Sequence, residues 1–425
     1  MRRRDLLQMA PLSLLAGLGI PRLARAGVSA NDRKFLFVFA SGGWDPTWVF
    51  APEFDNPFVD MPPDDSQKVQ QGGHTWVSSA SRPSVDSFFT TFGHRTCMVN
   101  GLVVPSIAHE RCRRLLFTGG SSADTNDFPM RLAMGAPGHL PLANVVFSGP
   151  SYADGTGSGA VRIGTNGQFG ALLDGSCVAG SLPPLRLPNA AIGALEDSYV
   201  LDRVQRAAAA AQRGAASRIA GAYASAVADA TGVAAMSDLL TVGAADSRNQ
   251  LLDAADLLAS GVARCVTVAD VGVEGVDWDT HSEITRQALN YESLFGNLNV
   301  LLAFLESSAG TTGGSLADEV TVVVFSEMGR YPRFNVSMGK DHWTTTSMML
   351  IGGGIQGGRL IGGYDDNMGG VPVIPSTGES DPTGASGGVV LQSVHLGATL
   401  LALADMDPVE AFGSDVEPLT GVLQP

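Results

Sequence analysis

Five short clusters hold the side chains best suited to chemistry. They are Ser41-Gly42-Gly43-Trp44-Asp45, Pro105-Ser106-Ile107-Ala108-His109, Asp277-Trp278-Asp279-Thr280-His281, Ser326-Glu327-Met328-Gly329-Arg330 and Lys340-Asp341-His342-Trp343. Three of the seven histidines fall in this set, beside several carboxylates. Imidazole and carboxylate together suit zinc, manganese or iron, whereas an oxygen-only set suits calcium or magnesium. Each cluster also has a plainer reading. Asp45 after two glycines can be a turn residue or a helix N-cap. Asp277 and Asp279 can form a solvated loop. His281 can cap or start a helix over Ser282–Leu305, and His342 can be a hydrogen-bonded core histidine. Glu327 follows Val-Val-Val-Phe-Ser at the mouth of a buried strand, where an unpaired charge is costly. It needs a partner, and a cation competes for that place with Arg330 and Arg333.

These clusters require elements that bring them together. Five apolar runs read as strands: Lys34–Ala40, Thr96–Val104, Ala263–Val271, Val320–Phe325 and Ser347–Ile351. Near-continuous apolar runs suit strands covered on both faces, as in a parallel sheet. Helical stretches separate them at Ser84–Phe92, at His109–Phe117 with Thr118-Gly119-Gly120 ending it, and at Glu283–Leu305. Alternating strand and helix predicts a doubly wound, mostly parallel α/β sheet flanked by helices. The first four clusters then lie at strand ends, where open α/β sheets bind ligands. The Ala-rich stretch 194–257 reads as a helical insertion packed on the sheet. Gly149–Gly167 and Gly363–Gly388 read as long loops.

The order of the clusters resembles the alkaline phosphatase and sulfatase superfamily. More narrowly, it is similar to the exported sulfatase-like family called domain of unknown function 1501. The resemblance is carried by Phe37-Val-Phe-Ala-Ser-Gly-Gly-Trp-Asp45, Asp277-Trp-Asp-Thr-His281, Val323-Val-Phe-Ser-Glu-Met-Gly-Arg-Tyr-Pro-Arg333 and Gly339-Lys-Asp-His-Trp343. It implies an alkaline-phosphatase-like fold and metal ligands at Asp45, Asp277 (with Asp279 as the alternative acid), His281, Glu327 and His342. The ion implied is divalent: zinc, manganese or calcium. One metal position is fairly complete and the other is not, because Met328 stands where the superfamily has histidine. His109, with Arg113 four residues on and Thr118-Gly119 at nine and ten, takes the place of the sulfatase nucleophile. Histidine there can be a nucleophile, a base or a ligand; Ser106 and Cys112 are fallback nucleophiles. Arg330 and Arg333, like Arg113, can hold an anion by forked hydrogen bonds.

The first residues suggest an address. Arg2-Arg3-Arg4, the apolar run Leu6–Ile20 and the ending Ala24-Arg25-Ala26 have the three-part form of an export signal. Arg3-Arg4-Asp5-Leu6-Leu7 resembles the twin-arginine consensus, with Leu where Phe is commoner. The expectation is a leader over 1–26 and one domain over 27–425 acting in the periplasm or beyond. No later stretch has the eighteen consecutive apolar residues of a membrane span. The 425 residues carry 27 Lys and Arg against 42 Asp and Glu, a net charge of −15. Nothing in that balance neutralises phosphates, which excludes a nucleic-acid binder. Of the four cysteines, Cys97, Cys112, Cys177 and Cys265, an oxidising compartment allows one disulfide, while Cys97 and Cys265 also read as buried strand thiols. His395 reads as a helix residue, and His74, His94 and His139 as loop histidines. Two functions fit: a metal-dependent hydrolase or transferase of a phosphate or sulfate ester, on a small molecule or a polysaccharide, and a non-catalytic binding or scaffold protein on the same fold.

Overall fold

The computed structural model describes residues 28–122, 124–138, 140–154, 160–163, 190–210, 246–273 and 276–424, with single positions 214, 221 and 223. The expected leader, Cys177, His139, much of Gly149–Gly167 and most of 211–245 lie outside them.

The strands in chain order are β1 (Lys34–Ala40), β2 (Gln67–Gln71), β3 (His74–Ser78), β4 (Thr96–Val103), β5 (Asn144–Val146), β6 (Val161–Arg162), β7 (Cys265–Asp270), β8 (Val320–Ser326), β9 (Gly329–Arg330), β10 (His342–Trp343), β11 (Thr345–Gly352) and β12 (Arg359–Gly362). Eight of them form one sheet in the order β12-β4-β11-β8-β1-β7-β5-β6. β1 pairs in parallel with both β7 and β8, and β5 with β6 and β7. The Ser347–Ile351 run lies within β11, which is antiparallel to β4 and β8. Its apolar character reports burial on both faces and not direction. The sheet is therefore mostly parallel, with β11 reversed.

β1 shows why the run Lys-Phe-Leu-Phe-Val-Phe-Ala makes a central strand. Successive side chains point to opposite faces. Leu36, Val38 and Ala40 join one buried cluster; Phe35, Phe37 and Phe39 join the other. The first cluster is covered by α1 (Pro83–Phe92) through Phe88 and Phe89, and by α5 (Ser247–Ala259) and α6 (Arg286–Ser307). The second is covered by α2 (His109–Thr118), α3 (Phe128–Met134) and α8 (Ser393–Leu403). Helices on both faces make the fold doubly wound. Between α3 and α5 lies α4 (Ala190–Ala210), and α7 (Leu316–Glu319) leads into β8. α4 differs from the expectation for the insertion: its described side chains are largely exposed, with Val204 buried, whereas α5 buries Leu251, Leu257 and Leu258.

Smaller expectations resolve similarly. α2 ends as its sequence requires, with Gly119 at φ 75° closing a bond to Leu115. Cys97, Cys112 and Cys265 are buried free thiols, so they form no disulfide with one another. Burial pushes the Cys97 thiol up to about 12. His74 lies in β3, not in a loop, with Nε2 against the Gly93 carbonyl at 3.0 Å. His94 lies in a short turn, and His395 accepts from the Gln392 backbone N–H at the start of α8.

Candidate metal centre

β8, β1 and β7 run side by side in the same direction, so the segments after them leave the sheet along one edge. β4 is antiparallel to β11, and β11 to β8, which brings the carboxyl end of β4 to that edge too. The same reversal puts the start of β11, and β10 before it, beside these ends. Five segments distant in sequence thus meet: 41–45, 106–113, 277–281, 327–330 and 340–343.

Each segment is held by buried anchors. Trp278 is fully buried, donates its indole N–H to Asp270 Oδ1 at 2.9 Å and packs edge-on against Tyr291. Gln287 of α6 donates to the Trp278 carbonyl at 2.9 Å and the Thr280 hydroxyl at 3.0 Å. Of its two neighbours, Asp277 is exposed and Asp279 is half-buried. Asn290 holds Asp277 through the backbone carbonyl alone, at 2.9 Å. α6 begins at Arg286, so His281 is not its first residue or its cap. His342 is placed by the β9–β10 pairing, opposite Arg330.

Three imidazoles and one carboxylate converge. Asp279 Oδ2 lies 3.3 Å from His109 Nε2. Asp279 Oδ1 lies 3.3 Å from the Nε2 atoms of both His281 and His342. The Nε2 atoms of His281 and His342 are 2.9 Å apart. His109, Asp279 and His342 offer donor atoms that all lie within 4.8 Å of one another, so this cluster could hold a metal ion. The opposite nitrogens are occupied elsewhere: His109 Nδ1 faces Glu327 Oε1 at 3.0 Å, His281 Nδ1 faces Asp341 Oδ1 at 3.1 Å, and His342 Nδ1 faces the Ile107 carbonyl at 2.6 Å. Ligating histidines characteristically give the second N–H to such an acceptor.

The remaining candidates have other partners. Asp45 is fully buried, caps the short turn Pro46–Trp48 through the Thr47 N–H, and lies 2.9 Å from Lys340 Nζ. It is the turn residue and N-cap that its sequence also allowed, and it stands outside the cluster. Glu327 meets His109 on the Nδ1 side, away from the converging Nε2 atoms, and accepts the Gly42 N–H on both oxygens at 3.0 Å. Arg330 is buried and closed to an anion. It donates to the carbonyls of Gly42, Gly43, Trp278 and Lys340 and to Asp279 Oδ1 at 2.7 Å. Its carboxylate partner is thus Asp279, not Glu327. Arg333 is exposed, donates to the Pro57 carbonyl at 2.7 Å and lies over the Phe58 ring. Arg113 is at the site: Nε reaches Glu327 and Nη2 reaches Ser41, each at 3.3 Å, while Nη1 pairs with exposed Glu110.

Asp341, Asn335 and Lys340 are the residues that sequence reasoning left without a role. Asn335 ties the His281 carbonyl (2.9 Å) to Asp341 Oδ1 (3.2 Å). Asp341 stood in a quoted cluster, beside His342, but no spacing rule links it to His281 sixty residues earlier.

The charges support one another. Hydrogen bonds to Asp279 first, then Glu327, raise His109 to about 9. Burial works against both carboxylates. The bonds from His109, His342 and Arg330 outweigh it and hold Asp279 far below the usual carboxylate range; those from His109 and the Gly42 N–H lower Glu327 from its ordinary value. The ordinary histidine value is about 6.5, so the ion-free fold gains stability from His109 that is fully present below about pH 6.5 and is lost as pH rises through about 9. Thermal unfolding in chelator should show wild type losing stability between pH 7 and 9.5, with His109→Gln nearly flat over that range.

Gly42 makes the convergence possible. At φ 133° it sits in a region that L side chains rarely adopt, and a Cβ there would lie 2.8 Å from the Asp279 backbone nitrogen and 2.9 Å from Trp278 Cβ. Gly42→Ala should cost about 1–3 kcal/mol in urea unfolding and displace Asp279, which metal titration of the folded variant checks.

Known proteins place the chain only broadly. Residues 190–374 match the model of a family described as a protein of unknown function (DUF1501). No curated protein matches. Among solved structures, Ps i-CgsB in complex with k-i-k-neocarrahexaose is 9% identical with a TM-score of 0.42, over 91% of this chain and 75% of that one. A protein reported with the metabolism of multiple glycosaminoglycans by Bacteroides thetaiotaomicron is 10% identical with a TM-score of 0.33, over 91% and 74%. The C-terminal periplasmic domain of EcEptC from Escherichia coli is 9% identical with a TM-score of 0.38, over 91% and 87%. Among the described residues no helix is long and apolar enough to cross a membrane.

Proposed function

We propose that this protein is an exported metal-dependent hydrolase or transferase acting on a phosphate or sulfate ester. One observation carries the reading: three Nε2 atoms from three separate segments face a single carboxylate at 3.3 Å. The donor set fits a cation by its geometry. His109 Nε2, His342 Nε2 and an Asp279 oxygen lie within 4.8 Å of one another, and His281 Nε2 stands beside them, 3.3 Å from Asp279 Oδ1 and 2.9 Å from His342 Nε2. It fits by its chemistry too. His109 Nε2 is buried and faces only the Asp279 carboxylate, at 3.3 Å, and the facing Nε2 atoms of His281 and His342 at 2.9 Å need a proton or a cation between them. Three imidazoles with one carboxylate favour zinc or manganese over calcium.

His109, Asp279, His281 and His342 would hold the ion, which when bound polarises an ester oxygen and activates water. Among the described residues no Ser, Thr or Cys side chain hydrogen-bonds to these four, so water is the nucleophile in this reading. Asp279 and His281 keep the site open, with side chains 36% and 47% exposed. Arg113 is the available anion contact. Two of its bonds are long and its pair with exposed Glu110 is weak, so the guanidinium can turn to a substrate oxyanion at small cost. Asp341 and the Ile107 carbonyl keep the Nδ1–H of His281 and His342 turned away from the substrate.

The expected leader puts this work outside the cytoplasm, and the twin-arginine route would carry a chain already folded around its ion. Replacing Arg3-Arg4 by Lys-Lys should stop export; unchanged export removes that part. For the activity, aryl phosphate and aryl sulfate panels with zinc or manganese should give turnover that is lost in His342→Ala and reduced in Arg113→Ala. Metal binding with no turnover on any panel would favour the non-catalytic reading.

A further inference from the structure

We infer that Glu327 and Arg330 are positioning residues that hold donors from two different segments against one shared residue, Gly42. The inference rests on the metal-site reading above and deepens it. Glu327 accepts the Gly42 N–H and faces His109 Nδ1. Arg330 donates to the Gly42 carbonyl and to Asp279 Oδ1. The N–H and C=O of one residue are thus taken by two charged side chains three positions apart, and each side chain's other end fixes one proposed donor. His109 comes from the start of α2 and Asp279 from the loop after β7, so neither has a local reason to meet the other.

Both side chains are fully buried, and their bonding is specific. Glu327 also takes Arg113 Nε and the Ser326 hydroxyl, each at 3.3 Å. With Nδ1–H drawn toward Glu327, the Nε2 lone pair of His109 is left facing the site, which is how a carboxylate fixes a ligating imidazole. Arg330 reaches four carbonyls and one carboxylate with a planar fork that no lysine reproduces. Glu327 therefore acts through His109 and is not itself a donor, because its carboxylate lies behind the ring.

The test uses the full mature chain, zinc titration calorimetry and the ring N–H proton resonance of His109 in the zinc-free protein. Glu327→Ala should weaken zinc by about 10–100-fold and erase the hydrogen-bonded Nδ1–H resonance. Glu327→Gln keeps an oxygen in reach of both the Gly42 N–H and His109 Nδ1–H, so it should retain that resonance and most of the affinity. Arg330→Lys should weaken zinc by about 10-fold with the His109 resonance intact. If Glu327 were a donor, Gln would lose affinity as fully as Ala, since a carboxamide is a poor zinc ligand. That result, or an unchanged resonance in Glu327→Ala, overturns the inference. Absence of zinc binding in wild type would defeat the site reading, whereas the resonance in zinc-free protein still decides the Glu327–His109 relation. If Glu327→Ala does not fold, the Gln and Lys variants decide.

Discussion

Asp279→Ala should abolish metal binding and turnover together. Asp279 is the one carboxylate that all three imidazoles approach, and the acid that meets Arg330. Its loss should exceed the 10–100-fold of an outer contact, taking affinity beyond reach of micromolar zinc titration. The effect on stability should be smaller. The carboxylate is 36% exposed, and Arg330 keeps four carbonyl partners, so about 1–2 kcal/mol is expected in chelator. A large functional loss with a small stability loss marks a site residue. Asp277→Ala, two positions away and exposed, should change neither quantity.

The opposite split is expected at Asp45 and Lys340. This ion pair is buried on both sides, with side chains 0% and 1% exposed. Lys340 Nζ also donates to the Thr47 hydroxyl at 3.1 Å, and that hydroxyl donates to Asp45 at 2.8 Å. Removing one member strands a buried charge, at about 3–5 kcal/mol. Asp45→Asn and Lys340→Met should each fall in that range by urea unfolding. The double variant should cost less than either, since both charges go together. Metal stoichiometry should be unchanged in every variant that folds. A zinc affinity that falls in Asp45→Asn while stability holds would return Asp45 to the ligand set.

The two pairs of predictions show where the sequence was legible. The five strand runs and three helices stand where their apolar patterns put them, because burial on both faces writes itself into composition. The direction of β11 was not legible, since a buried run reads the same in either direction. His109, His281 and His342 were singled out by type and by position at strand ends, and the topology does bring them together. The acids were harder. Asp45 follows a strand as a ligand would, but the proline after it makes it a cap, and its charge partner lies 295 residues on. Asp277 and Asp279 differ in sequence only by two places. Asp277 is exposed and held only through its backbone carbonyl, whereas Arg330 grips the Asp279 carboxylate beside the imidazoles, a long-range contact with no spacing signature. Glu327 was expected to take a cation, Arg330 or Arg333 as its partner. Instead Glu327 takes the Gly42 N–H and Arg330 the Gly42 carbonyl, a long-range arrangement that no local pattern encodes.

The most direct test is a crystal structure of zinc-loaded protein with the ion located by anomalous scattering. The account predicts one peak bounded by the Nε2 atoms of His109, His281 and His342 and by the Asp279 carboxylate, with Glu327 behind His109 and Asp45 still on Lys340. A peak at Asp45 or Asp277, or none among the four donors at saturating zinc, would contradict it.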